Sequence, residues 1–155
     1  MTSLTLVRRI KARPSIVFEA LTTAEGITSW WGPDAGPVLL AELDVRVGGR
    51  YRVRFRMLDG REHESAGEYL EVVPNERLVV TSQWTVGGEP EEAGNISRLE
   101  FRLEPIDIGT KLTLTHAQLR TEASRVSHER GWTGALDKLT HRFSLASAGD
   151  HDQRG

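Results

Sequence analysis

The chain of 155 residues contains no cysteine. Disulfides, thiolate metal sites and cysteine nucleophiles are therefore excluded, and a reducing compartment, the cytoplasm, is the expected location. No apolar run approaches the roughly 20 residues that a membrane-spanning helix needs. Met1 to Ile10 carry Arg8 and Arg9 but no apolar stretch, so no secretory signal is expected. An excess of one charge is missing too. The 20 basic and 22 acidic residues leave a net charge of −2, which gives no bulk attraction to nucleic acid or to an anionic membrane. Arginine outnumbers lysine 17 to 3, which reads first as a base-composition habit of the source. The sequence holds no internal repeat, no His-Glu-x-x-His and no nucleophile elbow around Ser65 or Ser82. Gly48-Gly49 and Gly87-Gly88 lack any phosphate-loop context and read as turns. No cofactor and no metal are expected. The length fits one domain, residues 1–146, followed by a small and polar tail over 147–155. A chain of this size buries roughly 70% of its unfolded surface and needs no staples.

Against these absences stand two adjacent tryptophans, Trp30 and Trp31, stopped by Gly32-Pro33-Asp34. Each indole brings a large apolar surface and one N–H that wants a partner. Neighbouring side chains on a helix point about 100° apart. One ring is therefore expected in a core and the other at an edge, such as a pocket mouth.

Leu4 to Ile10 reads as a strand, and Pro14 suits the first turn of a helix with Val17, Phe18 and Leu21 on its apolar side. Thr22 and Glu25 have capping-box spacing for a second short helix ending at the tryptophans. From about Val38 to Leu119 the period is two, cut by Gly, Pro and Asn into about six strands. From Thr121 the period returns to helical. His128, Trp132, Leu136, Leu139 and Phe143 form one face of a long helix, with Gly131 and Gly134 marking a kink or a close approach to the sheet. Thr85 to Asn95 is long for a hairpin loop and reads as a mobile lid or plain disorder.

One hairpin fixes which face is inside. Arg50, Arg52, Arg54 and Arg56 alternate with Tyr51, Val53, Phe55 and Met57 before Leu58-Asp59-Gly60. A two-residue loop would set Glu62 and Glu64 opposite apolar residues. A three-residue loop with Gly60 left-handed sets Glu62 opposite Arg56, Glu64 opposite Arg54 and Glu68 opposite Arg50. Each opposite-charge pair contributes roughly 0.2–1 kcal/mol and the other register buries carboxylates, so the three-residue loop is expected. His63 and Ser65 then fall on the inner face. The arginine ladder becomes a solvated, carboxylate-paired outer face and not a phosphate-binding one.

The other strands place Leu78, Val80, Ser82 and Trp84 together, then Ser97, Leu99, Phe101 and Leu103, then Leu112, Leu114, His116 and Gln118. The interior is apolar and aromatic with a few polar groups, which matches a ligand pocket and also a packed core. His63, His116 and His128 fall where they would converge inside, without ligand spacing. Asp137 and His141, at i and i+4, read as a surface pair. His63 or His116 could serve as an acid–base group, with no inward carboxylate clearly present to orient it.

The chain resembles the SRPBCC superfamily, with its START-like, helix-grip fold first described for a birch pollen allergen. Within that superfamily it is similar to the group named for the activator of the heat-shock-protein-90 ATPase. The matching segments include Arg9 to Ala12 before Pro14, Val17 to Thr22, Trp30 to Pro33, Asp44 to Gly49, Asp59-Gly60, Gly67 to Pro74 with Glu76 to Leu78, Gly109 to Leu114, and Gly131-Trp132 leading to Leu136 and Leu139. The resemblance runs over about residues 5 to 145. It implies an α+β fold: a curved seven-stranded antiparallel sheet gripping a long C-terminal helix, with two short helices after the first strand and a cavity between sheet and long helix. Relatives bind lipids, hormones or polyketides, some catalyse cyclisation, dehydration or hydrolysis, and many bacterial members have no assigned activity.

The leading expectation is a soluble domain binding a small, mostly apolar molecule. Tyr51, Val53, Phe55, His63, Trp84, Phe101, His116, Trp132 and Leu136 are expected to line the cavity, and Trp30 or Trp31 to close one end. A second expectation is an enzyme of the polyketide cyclase or dehydratase type, using His63 or His116 in the same cavity. A third is a chaperone-associated interaction module with one tryptophan of the pair on an exposed apolar patch. No N-terminal domain of the eukaryotic co-chaperone kind is expected, and chaperone activation is not expected either. No nucleic-acid or membrane partner is expected, and a homodimer is compatible with the sequence.

Overall fold

In the computed structural model the backbone is described for residues 1–154 and the side chains for residues 1–144. The expected tail, residues 147–155, lies outside the described side chains. Strand β1 (Thr2–Ile10) is followed by helices α1 (Pro14–Thr22) and α2 (Ala24–Trp30). Six strands come next: β2 (Val38–Leu43), β3 (Arg50–Arg56), β4 (Glu62–Val73), β5 (Arg77–Val86), β6 (Ser97–Ile106) and β7 (Gly109–Leu119). Helix α3 (Glu122–Arg154) ends the fold. The strands form one curved antiparallel sheet in the order β1-β7-β6-β5-β4-β3-β2. Only β1 leaves the meander, pairing with β7 so that α1 and α2 cross from one edge to the other. Among the described residues no helix is long and apolar enough to cross a membrane.

Alternation dictates the sheet's two faces. Tyr51, Val53 and Phe55 are buried while Arg50, Arg52 and Arg56 are exposed. The β3–β4 hairpin has the three-residue loop, with Gly60 at φ +91° and Met57 N–H donating to the Arg61 carbonyl at 2.8 Å. Its register sets Arg56 opposite Glu62, Arg54 opposite Glu64 and Arg50 opposite Glu68. The side chains pair diagonally as well: Glu62 takes both Arg54 at 3.1 Å and Arg56 at 3.2 Å. Glu64 is buried, because a bulge at Glu64–Ser65 lets Thr85 reach its carboxylate at 2.7 Å.

Helix α3 lies against β1, β7 and α2. Its stripe of His128, Leu136, Leu139 and Phe143 is buried, with Trp132 half-buried among them. The close approach expected of Gly134 is real, but it is to the Gly32–Asp34 turn, not to the sheet. A Cβ there would stand 2.1 Å from the Pro33 carbonyl oxygen, whereas at Gly131 the nearest atom is a Pro33 carbon at 3.8 Å. Lys138 fastens the same turn, its Nζ donating to the carbonyls of Trp31 at 3.1 Å and Asp34 at 2.6 Å. Gly134→Ala should therefore lose about 1–3 kcal/mol of stability through overpacking. Gly131→Ala should gain up to about 1 kcal/mol from helix propensity. Urea denaturation of the two variants checks the contrast.

Three local readings are corrected. The cap of α2 is Thr23, not Thr22: α1 continues through Thr22, so the extended residue is Thr23. Its hydroxyl accepts the Gly26 N–H at 2.9 Å, while the Thr22 hydroxyl donates back to Phe18. Asp137 reaches Arg8 on β1 at 3.5 Å and does not pair with His141. The segment from Thr85 to Asn95 is folded, with a 3-10 turn at Pro90–Glu92. Buried Glu92 pins it, accepting the Arg120 N–H at 2.8 Å and the Asn95 amide at 2.6 Å.

Candidate functional site

Trp30 and Trp31 do part ways, though not by the expected rule. Trp30 ends α2, and Trp31 is already extended at φ −65° and ψ 146°, so helical spacing does not govern the pair. Their centroids are 5.4 Å apart and both lie against Trp132, at 6.4 and 5.3 Å. Trp30 is 0% exposed, donates its N–H to the Ala20 carbonyl at 2.9 Å and stands edge-on to Phe101. Trp31 is 8% exposed and forms part of a cavity wall.

That cavity, about 380 Å³, opens between the sheet and the first turns of α3. Seven aromatic rings line it, each close to the next. Phe55 meets His63 at 5.5 Å, His63 meets Trp84 at 5.9 Å, and Trp84 meets His128 at 5.9 Å. His128 meets His116 at 5.1 Å, His116 meets Trp132 at 6.1 Å, and Trp132 meets Trp31 at 5.3 Å. Gly32, next to Trp31, faces the Phe55 ring; a Cβ there would be 3.4 Å from it. Such offset and edge-on pairs add to the apolar burial that holds the wall in place.

Two indole–imidazole bonds set the state of the inner histidines. The Trp132 N–H donates to His116 Nδ1 at 3.0 Å. His116 Nε2 therefore carries the proton and gives it to Ser97 Oγ at 2.7 Å, and Ser97 donates on to the Ser82 carbonyl at 3.0 Å. Protonating Nδ1 would set two donors against each other in a dry site. Burial, and then the neighbouring His128, push the His116 pKa down to about 3. Likewise the Trp84 N–H donates to His128 Nε2 at 3.3 Å, leaving His128 Nδ1 to the Ser124 carbonyl at 2.8 Å. His63 differs. The Gly88 N–H occupies its Nδ1 at 2.8 Å, and among the described residues its Nε2 has no hydrogen-bond partner. Partial burial, then Arg61, pull its pKa below the ordinary value.

Of the residues expected at the cavity, Trp31, Phe55, His63, Trp84, His116 and Trp132 line it. Trp30, Tyr51, Val53, Phe101 and Leu136 do not. All five are buried in the core beneath it, where Tyr51 donates its hydroxyl proton to the Thr81 carbonyl at 3.0 Å and burial raises its pKa to about 12. Parity names the inward face but not the depth at which α3 crosses it. Several lining groups went unnoticed. Met57 and Arg61 flank the hairpin turn, while Gly88, Glu89 and Pro90 come from the β5–β6 segment. Ser127, Arg130, Gly131 and Ala135 flank the His128–Trp132 stripe on α3. The unusual length of the Thr85–Asn95 loop was the available signal for one of these groups. A second was the pair of α3 glycines. Glu89 crosses to α3 and accepts the Ser127 hydroxyl.

Among the described residues no three His, Asp or Glu side chains converge to hold a metal ion. No carboxylate there hydrogen-bonds to His63 or His116.

Comparison with known proteins fits this architecture. No curated protein matches the chain. A protein from Chromobacterium violaceum superposes with a TM-score of 0.79 at 25% identity, over 92% of this chain and 98% of its own. The AHSA1 protein from Silicibacter pomeroyi gives 0.81 at 26% identity, over 94% and 99%. An AHSA1-like protein from Aeromonas hydrophila, at 18% identity and a TM-score of 0.72 over 95% and 94%, shares the fold. The family model described as "Activator of Hsp90 ATPase homolog 1-like protein" matches residues 11–144. With the model spanning nearly the whole helix-grip fold, the chain belongs to that family.

Proposed function

We propose that this protein binds a small, mostly apolar, aromatic molecule in the cavity between sheet and α3. The observation that carries the reading is the chain of seven rings around about 380 Å³, in which two of the three imidazoles already have both nitrogens engaged by protein. A site of this size with aromatic walls and few free polar groups suits a small ligand. Acid–base catalysis gains less support. His116 is held neutral at both nitrogens, and no carboxylate orients His63. A chaperone-binding reading would need an exposed tryptophan of the pair, and both are buried.

Calorimetric titration with neutral 2-naphthol tests the proposal. At about 0.3–0.5 kcal/mol for each of its heavy atoms, a Kd of roughly 0.1–4 mM is expected, with a negative heat-capacity change. Ala135→Phe, which fills the cavity from α3, should abolish the heat. Equal binding by that variant, or none by the parent protein, would contradict the proposal.

A further inference from the structure

Resting on that reading, the polar groups of the cavity point to the chemistry of its occupant. Ser65 is 3% exposed and is one of the residues lining the cavity, and its buried hydroxyl has no hydrogen-bond partner. Buried hydroxyls are seldom left so, and one facing a cavity is where a ligand's polar atom belongs. His63 sits two residues along the same face of β4, about 6.6 Å nearer the mouth. Its Nε2–H is the free donor, because Gly88 occupies Nδ1. At the mouth stand Arg61, from the hairpin turn, and Arg130, from α3. Arg61 pairs with Asp59 at 2.8 Å; among the described residues Arg130 is in no ion pair. The one carboxylate in the lining, Glu89, is engaged by Ser127. Hydroxyl, imidazole N–H and guanidinium thus follow one another from floor to rim, along a wall whose other members are the Phe55 and Trp84 rings.

We propose that the ligand is an aromatic acid with a second hydrogen-bonding group at the end remote from its carboxylate. It enters ring-first, meets Ser65 Oγ with that group, and leaves the carboxylate at His63, Arg61 and Arg130. The apolar body takes the aromatic wall, and the anion stays at the wet rim where the arginines need not be desolvated.

Calorimetry with 4-hydroxycinnamate, cinnamate and 4-hydroxycinnamamide separates the parts. 4-Hydroxycinnamate should bind about tenfold tighter than cinnamate, and Ser65→Ala should erase that difference without weakening cinnamate. 4-Hydroxycinnamate should in turn bind several-fold tighter than its amide, a margin that shrinks in Arg130→Gln and in high salt. Ser65→Ala leaves no new unpaired group, so its folding is not at risk. If Ser65→Ala treats the two acids as the parent does, or the amide equals the acid, the assignment is overturned. Should 2-naphthol still bind in that event, the cavity reading survives alone; should it fail too, both fall.

Discussion

Trp30→Ala is expected to remove about 3–5 kcal/mol of folding stability, a large share of the roughly 5–15 kcal/mol that a domain possesses. The ring is fully buried at the point where α2, Phe101 on β6 and Trp132 on α3 meet. Its removal leaves a large void and strips the Ala20 carbonyl of the N–H that satisfies it. Trp30→Phe keeps most of the volume and loses only that bond, so it should cost about 1–2 kcal/mol. Urea unfolding followed by circular dichroism reads both. A loss under about 1 kcal/mol for the alanine variant would mean that the ring is not core at all.

The second large effect is a pH dependence. His116 is neutral when folded, with a pKa near 3, and ionises near 6.5 when unfolded. Below pH 6.5 the unfolded chain binds the extra proton, so stability falls as pH falls, until the folded pKa is reached. Between pH 7 and pH 5 this one residue should account for a loss of about 2 kcal/mol. His63, whose pKa is also lowered, contributes in the same direction. The protein with His116→Gln should therefore show a shallower decline than the parent over that interval, whatever its absolute stability. Parallel curves would mean that His116 is free to ionise in the folded state, and that the Trp132 bond does not lock its tautomer.

How much was legible in the sequence differs sharply between the sheet and the cavity. The β3–β4 register followed from charge alone. Alternating arginines, three glutamates and Asp59-Gly60 admit one arrangement that keeps the glutamates off the apolar face, and that arrangement set His63 and Ser65 inward. The same register sets Tyr51 opposite Gly67. The buried α3 stripe was equally readable, since its spacing of three and four has no other use. What alternation could not give was depth. Val53 and Phe55 share one face of one strand, yet Val53 is core and Phe55 lines the cavity. The difference depends on where α3 crosses the sheet. That crossing is set by Lys138 and by the Gly134–Pro33 contact, which join segments more than 100 residues apart. The indole bonds to His116 and His128 were hidden for the same reason: each donor indole lies on a different element from its imidazole.

The four tryptophans of the chain offer one direct measurement. Three indoles, Trp31, Trp84 and Trp132, line the cavity, and Trp30 is sealed in the core behind them. In a ¹⁵N-labelled sample titrated with 2-naphthol, the indole N–H resonances of those three should move together and saturate. The Trp30 resonance should stay in place. If the three are still at millimolar naphthol, or if Trp30 alone responds, the aromatic cavity is not a binding site.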